Sequence, residues 1–245
     1  MVHSSMASRL ALFHLLLVTA PSLSAVAASV VTNGSDDSEG FRLSNSQWHI
    51  TIDPVTLAMQ AETTGKHHQT ITLSLPILNS TEKVEVLSVG HEHAQWRWNS
   101  SQVAITASLS GQDFRVRFSR KTPGAIGWPL FPLNQKEGAR ALMFPKVEGM
   151  YIPLNDKEWR DDLINEPVSM TEGMSLPLLG VEYLCEKEKK CKGGKGTLSV
   201  IFPNPFNNML EFSTLNGAGA KDISKNNEEM LVTAHHRFSK LDYNQ

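Results

Sequence analysis

The sequence predicts an all-β protein, one large antiparallel β-sandwich over residues 41–245. Three observations carry that expectation. Runs of four to seven residues alternate apolar and polar side chains, the period-two signature of strands buried on one face. Turn formers separate those runs at the spacing expected of antiparallel sandwiches. Helix is scarce: only Asp156–Ile164 reads as a short one.

The domain begins at Phe41. Its first half offers strands at Trp48–Ile52, Thr70–Leu75, Val84–Leu87, Val103–Leu109 and Phe114–Phe118. Between them lie Asp53-Pro54, Thr64-Gly65, Asn79-Ser80, Asn99-Ser100 and Ser110–Asp113. The stretch Gly127–Trp159 is different in kind. Pro129, Pro132, Pro145 and Pro153 each fix φ and remove a backbone donor, so the chain between them cannot be helix and should cross a sheet end in stiff extended pieces. Trp128, Phe131, Phe144, Tyr151 and Trp159 supply flat apolar faces that suit a core or a sugar-stacking platform. Apolar neighbours assign Trp128 and Phe144 to the core; the charged Lys157, Glu158, Arg160 and Asp161 assign Trp159 to an exposed edge. Beyond it, Val181–Leu184 and Thr197–Phe202 form one long hairpin whose lysine-rich tip, Glu186–Gly196, reads as a solvated loop that discourages edge pairing. Met209–Phe212 and Met230–Ala234 add two later strands, and no repeat of fixed period is visible.

At the N-terminus, cationic Arg9 precedes an apolar run from Leu10 to Val18, then Pro21 and small residues through Ala28. This is the pattern of a secretory signal peptide over residues 1–27. The apolar run is well short of the roughly 20 residues that cross a bilayer, so the reading is a secreted or periplasmic protein with no membrane attachment after cleavage. Residues 28–40, with the polar, acidic stretch Thr32–Gly40, form a flexible lead-in. Removing about 27 residues leaves about 218, enough to bury a real core. A net charge of -2 and a pI near 6.5 leave no polybasic footprint, which excludes nucleic acid as a partner. An exported chain whose only cysteines are Cys185 and Cys191 most simply pairs them in a disulfide; two free thiols are the alternative. A metal there would need two further ligands that the flanking spacing does not offer. Sequons at Asn33, Asn79 and Asn99 matter in a eukaryotic source.

Nucleophile motifs are absent: Gly173–Pro177 fails G-x-S-x-G at its last position, and no phosphate loop or dinucleotide fingerprint occurs. Glu148, Asp156, Glu158, Asp161, Asp162 and Glu166 crowd around Tyr151 and Trp159. Glycosidases need two opposed carboxylates, yet acids this close in sequence rarely face each other across a substrate. Asp156, Glu158, Asp161 and Asp162 instead suit the first turn and polar face of a short helix, where acids complement the dipole. No catalytic residue is therefore assigned. A carboxylate beside an aromatic ring can still bind sugar hydroxyls while the ring stacks on the pyranose. His91-Glu92-His93 would put two imidazoles on one face of a strand, but a third ligand is missing locally, and His67-His68 or His235-His236 would supply one only through the fold. Histidine pairs near strand ends are usually solvent-facing. No metal and no cofactor are assigned.

The order FRLSNSQWHITIDPVTLAMQ, QWRWNSSQVAITASLSGQDFRVRF, GWPLFPL, MFPKVEGMYIPLNDKEW, MSLPLLGVEY and IFPNPFNNMLEF resembles the N-terminal β-sandwich of glycoside hydrolases related to endo-α-N-acetylgalactosaminidase. The likeness spans nearly all of the mature chain as a diffuse pattern, sharpest at Glu148–Pro153 with Asp156 and Trp159, and at Ser175–Leu178. It implies a galactose-mutarotase-like supersandwich preceding a (β/α)₈ barrel that carries the catalytic carboxylates; no barrel pattern is visible in this chain. The function it implies is the non-catalytic leading part of a secreted glycoside hydrolase acting on α-linked (amino)sugars, truncated or split from its barrel. Glu148, Tyr151, Asp156 and Trp159 would then line the substrate-facing edge, with carbohydrate and a separate catalytic barrel as partners. The alternative is a stand-alone secreted carbohydrate-binding or interaction domain. A mutarotase, drawing on His91, His93 and Glu148, ranks last.

Overall fold

A computed structural model of the chain describes residues 11–18, 40–64, 69–146, 149–164, 167–171, 173–174, 176–184, 195–203, 208–214 and 230–238. It is mostly β, 61% strand with one short helix, but it is not the large sandwich expected from sequence: four small sheets are arranged as in a four-bladed β-propeller.

The first sheet is a meander of β2 (Phe41–Ser44), β3 (Trp48–Ile52), β4 (Met59–Thr63) and β5 (Thr70–Ser74). The second is a meander of β6 (Val84–Val89), β7 (His93–Trp98), β8 (Val103–Ser110) and β9 (Asp113–Arg120). The other two are interleaved. β11 (Ala139–Phe144), β12 (Met150–Pro153), β14 (Leu178–Leu184) and β15 (Lys195–Ile201) pair in the order β12-β11-β14-β15. β10 (Gly124–Leu133), β13 (Val168–Ser169), β16 (Met209–Thr214) and β17 (Met230–Phe238) pair as β10-β17-β16-β13. A strand β1 (Ala11–Val18) runs between β9 and β15 and joins the second and third sheets into one nine-stranded ladder. Alternation decides which face of a strand is buried, not which strand it pairs with, and short strands with regular turns serve blades as well as sandwiches.

One contiguous core runs through all four sheets, and aromatic pairs bridge them. Phe41 meets Trp96 edge-on at 5.2 Å, Phe118 meets Trp128 at 5.4 Å, and Phe144 meets Phe212 at 5.5 Å, each pair joining two sheets. Indole donors add direction. The Nε1–H groups of Trp96 and Trp98 both donate to the Pro54 carbonyl, at 3.2 and 2.7 Å, and that of Trp128 to the Leu57 carbonyl at 3.2 Å. The β3–β4 turn that receives them is folded by Asp53, whose carboxylate accepts from the Val55 and Thr56 amides at 2.8 and 3.2 Å.

The proline-rich stretch is extended at its prolines and its first part is a true strand, but between Pro132 and Pro145, where no helix is expected, it makes one helical turn, because a proline constrains only itself and the residue before it. β10 carries Pro129 and Pro132 and has one ladder partner, β17, with the register broken between Gly127 and Leu130. A strand bonded on one side tolerates missing donors. Its open side is tied to the first sheet, where the Leu75 amide donates to the Leu130 carbonyl at 2.8 Å and the Leu130 amide to Ser74 Oγ at 3.1 Å. The 3₁₀ turn η1 (Gln135–Glu137) follows, ending on Gly138 at φ 97°, a left-handed position that suits glycine. A Cβ at Gly138 would strike the Leu184 carbonyl, so glycine also permits β14 to approach. Glu137 then reaches back to the first sheet: its carboxylate accepts from the Thr72 amide at 2.9 Å and the Thr72 hydroxyl at 2.7 Å.

Candidate functional site

The residues assigned from sequence to a sugar-facing edge are separated by the fold. Tyr151 lies on β12, level with Met143 on β11, which is level in turn with Gly180 on β14. One row further along, Pro153, Ala141 and Glu182 share the same face. The residues between, Ile152, Leu142 and Val181, fill the core row. Met143 packs over Gly180 on β14, and Tyr151 reaches across β11 to donate its hydroxyl to Glu182 Oε2 at 3.2 Å. Its ring stays open to solvent, 58% exposed. The result is a flat apolar face with a carboxylate fixed at its tip.

Asp156 does something else. Its Oδ1 accepts from the backbone amides of Glu158 and Trp159, at 3.1 and 3.3 Å, which makes it the N-cap of α1 (Lys157–Ile164). Leu163 is the buried anchor of that helix, while Glu158, Asp161 and Asp162 sit on its solvated surface. Trp159 is 43% exposed, and Trp128 and Phe144 are buried. Tyr151 and Trp159 share no ring contact with each other or with another described residue. Of the four residues assigned to the substrate edge, Tyr151 and Trp159 are thus exposed, Asp156 is a cap, and Glu148 lies outside the described residues, as does Glu166.

Cys185 and Cys191 also lie outside the described residues, and no disulfide is found among those that are described. The hairpin that flanks them is present, β14 pairing with β15 from Leu178↔Ile201 to Leu184↔Lys195.

The histidines depart from expectation. His91 and Glu92 sit in the turn before β7 rather than on a strand, and their carbonyls accept from the Ser44 and Leu109 amides, both at 2.7 Å. No group of three or more His, Cys, Asp or Glu positioned to hold a metal occurs among the described residues. His236, expected at the surface, is 1% exposed, and its Nε2–H donates to the Trp128 carbonyl at 2.8 Å. Burial pushes its pKa down from 6.5 to about 3, against the raising effect of that hydrogen bond, and His235 adds a small further lowering. Its neighbour His235 faces outward and meets Glu211 Oε2 at 2.7 Å. Tyr183 is also buried, with its pKa driven well above the usual phenol value by desolvation and secondarily by Glu137. Both are structural groups.

Sequence reasoning missed Glu182, the acid that meets Tyr151. The alternation of Val181, Glu182 and Tyr183 marks Glu182 as outward-facing, but nothing local names a partner 31 residues away. No protein-family model matches this chain, and no curated protein matches it.

Proposed function

We propose that the chain binds carbohydrate without cleaving it, as a non-catalytic module of a secreted glycan-processing system. The observation that carries this reading is the Tyr151–Glu182 pair: a half-exposed ring on a flat sheet face, with a carboxylate held beside its hydroxyl. A ring in that setting offers an apolar plane to the C–H face of a pyranose, and a fixed carboxylate accepts from neighbouring sugar hydroxyls. Cleavage needs more, namely two carboxyl groups flanking a glycosidic bond about 5 to 9.5 Å apart. Asp156, an acid the resemblance puts at the edge, is occupied in capping a helix. The sandwich on which the resemblance to glycosidases rested is not the fold observed, so the reading stands on this surface, whether the chain acts alone or beside a catalytic barrel.

Glycan-array binding and titration calorimetry with α-linked N-acetylgalactosaminides test it. Wild-type protein should bind weakly, Tyr151→Ala should abolish binding with a melting temperature within about 2 °C of wild type, and Glu182→Gln should weaken it. Aryl α-N-acetylgalactosaminides should not be turned over. Absence of glycan binding, binding indifferent to Tyr151→Ala, or repurification-stable hydrolysis would each defeat the proposal.

A further inference from the structure

We propose that the gap between β9 and β15 is a strand-accepting slot, filled by Ala11–Val18 as a placeholder. Once the leader is removed, the slot takes an extended strand donated by another polypeptide, apolar at alternate positions and polar between them. The inference rests on reading residues 1–27 as a removed leader, and is independent of the sugar-binding surface.

The backbone defines the slot. β1 is antiparallel to both neighbours, pairing Ala11–Leu16 with Phe118–Asp113 on one side and His14–Val18 with Ile201–Thr197 on the other. β9 and β15 therefore run in the same direction and meet only through it. Taking β1 away leaves two edges separated by two strand spacings, about 9.5 Å, which is too wide for them to pair and the width of one strand. Such edges present unpaired amides and carbonyls to any extended segment.

The walls of the slot specify what fits. On β9, Phe114, Val116 and Phe118 are buried, and on β15, Leu198 and Val200. The register sets positions 11, 13, 15 and 17 of β1 level with that apolar row. Positions 12, 14 and 16 fall level with Arg117, Arg115 and Asp113, polar groups of the outer face. The slot therefore asks for alternation, with an acid suited to the place beside Arg117 and a polar residue to the place beside Asp113, which already pairs with Arg115 at 3.0 Å. β7, β8 and β9 all alternate in this way. Ala11–Val18 does not: it puts leucine at 12 and at 16, as an export segment apolar throughout must. Its backbone completes the ladder, and its sequence departs from the alternation at positions 12 and 16. A donated strand with polar residues at those two positions keeps the alternation.

Export of the full chain followed by intact mass and hydrogen–deuterium exchange tests the inference. The secreted product should lack residues 11–18. The β1-facing amides of β9 and β15 should exchange at least about tenfold faster than those of β8. An octapeptide of the Ala11–Val18 sequence carrying L12E and L16K should slow both strands about tenfold, and the same peptide with L15P should not. Protection of β2–β5, unchanged throughout, reports an intact fold. A secreted product that retains residues 11–18 overturns the leader reading and the proposal with it. A processed product whose β9 and β15 edges are already protected, or are indifferent to the peptide, overturns the slot alone. Should processed protein lose protection in β2–β5, the full chain made without export and carrying Leu15→Pro gives the same readout: β9 and β15 should lose protection together while β3 keeps it, and retention in both strands defeats the proposal.

Discussion

His236 donates its Nε2–H to the Trp128 carbonyl at 2.8 Å, and this buried contact ties β17 to the bulged, proline-bearing part of β10. It also sets a pH dependence. The imidazole ionises near 6.5 when unfolded and only near 3 when folded, because burial penalises the cation. Above pH 6.5 both states are neutral and the full contribution to stability is present. As pH falls toward about 3, the unfolded chain takes up a proton that the folded chain refuses. Stability then drops by at most about 1.4 kcal/mol per pH unit from this group. Urea unfolding at pH 7, 6, 5 and 4 should show His236→Phe, which keeps a ring against Phe202, with lower stability at pH 7 and a flatter decline below it than wild type. Parallel pH profiles would refute the assignment.

The two tryptophans of the proline-aromatic stretch should behave oppositely. Trp128 is buried, packs edge-on against Phe118 and donates to Leu57, so Trp128→Ala should cost about 3 to 5 kcal/mol. Trp159 is 43% exposed on a surface helix, and Trp159→Ala should cost under about 1 kcal/mol. Thermal melts of the two variants side by side check both values.

Glu137 and Thr72 should outweigh the surface ion pair of Glu85 and Arg97. Two hydrogen bonds join the first pair at 2.9 and 2.7 Å, and Thr72 is 9% exposed. Glu137→Ala should cost about 2 kcal/mol by leaving the Thr72 donors unmatched. The Glu85–Arg97 pair, 3.1 Å apart with side chains 46% and 42% exposed, should contribute no more than about 0.5 kcal/mol in a double-mutant cycle. Equal effects would mean that the link between η1 and β5 is not a significant tie.

Asp156 should prove to be a cap and not a sugar ligand. Asp156→Ala should cost about 1 kcal/mol through loss of the two amide contacts, and Asp156→Asn less, since asparagine also caps. Glycan binding should be the same for both. A variant that leaves stability intact and abolishes binding would return Asp156 to the recognition surface.

The sequence by itself determined the local facts. Alternation placed Trp48–Ile52 as β3, and it centred β8 and β9 within a residue or two of their observed ends. The short helix expected over Asp156–Ile164 is α1, starting one residue later at Lys157, with Asp156 as its cap and not in its first turn. Charged neighbours placed Trp159 outside, and apolar ones placed Trp128 and Phe144 inside. Each of these depends on interactions within a few residues, which composition and spacing record directly. What only the tertiary structure decided was association. Whether four-stranded units close into two broad sheets or stand as four small ones depends on distant pairings such as β10 with β17, and on contacts such as Trp98 with Pro54. The meeting of Tyr151 and Glu182 is of the same kind: two outward-facing residues on strands that share one neighbour, β11, joined by a ladder order that no local pattern encodes. Alternation tells a strand which side to bury, and the packing of the whole core chooses its neighbours.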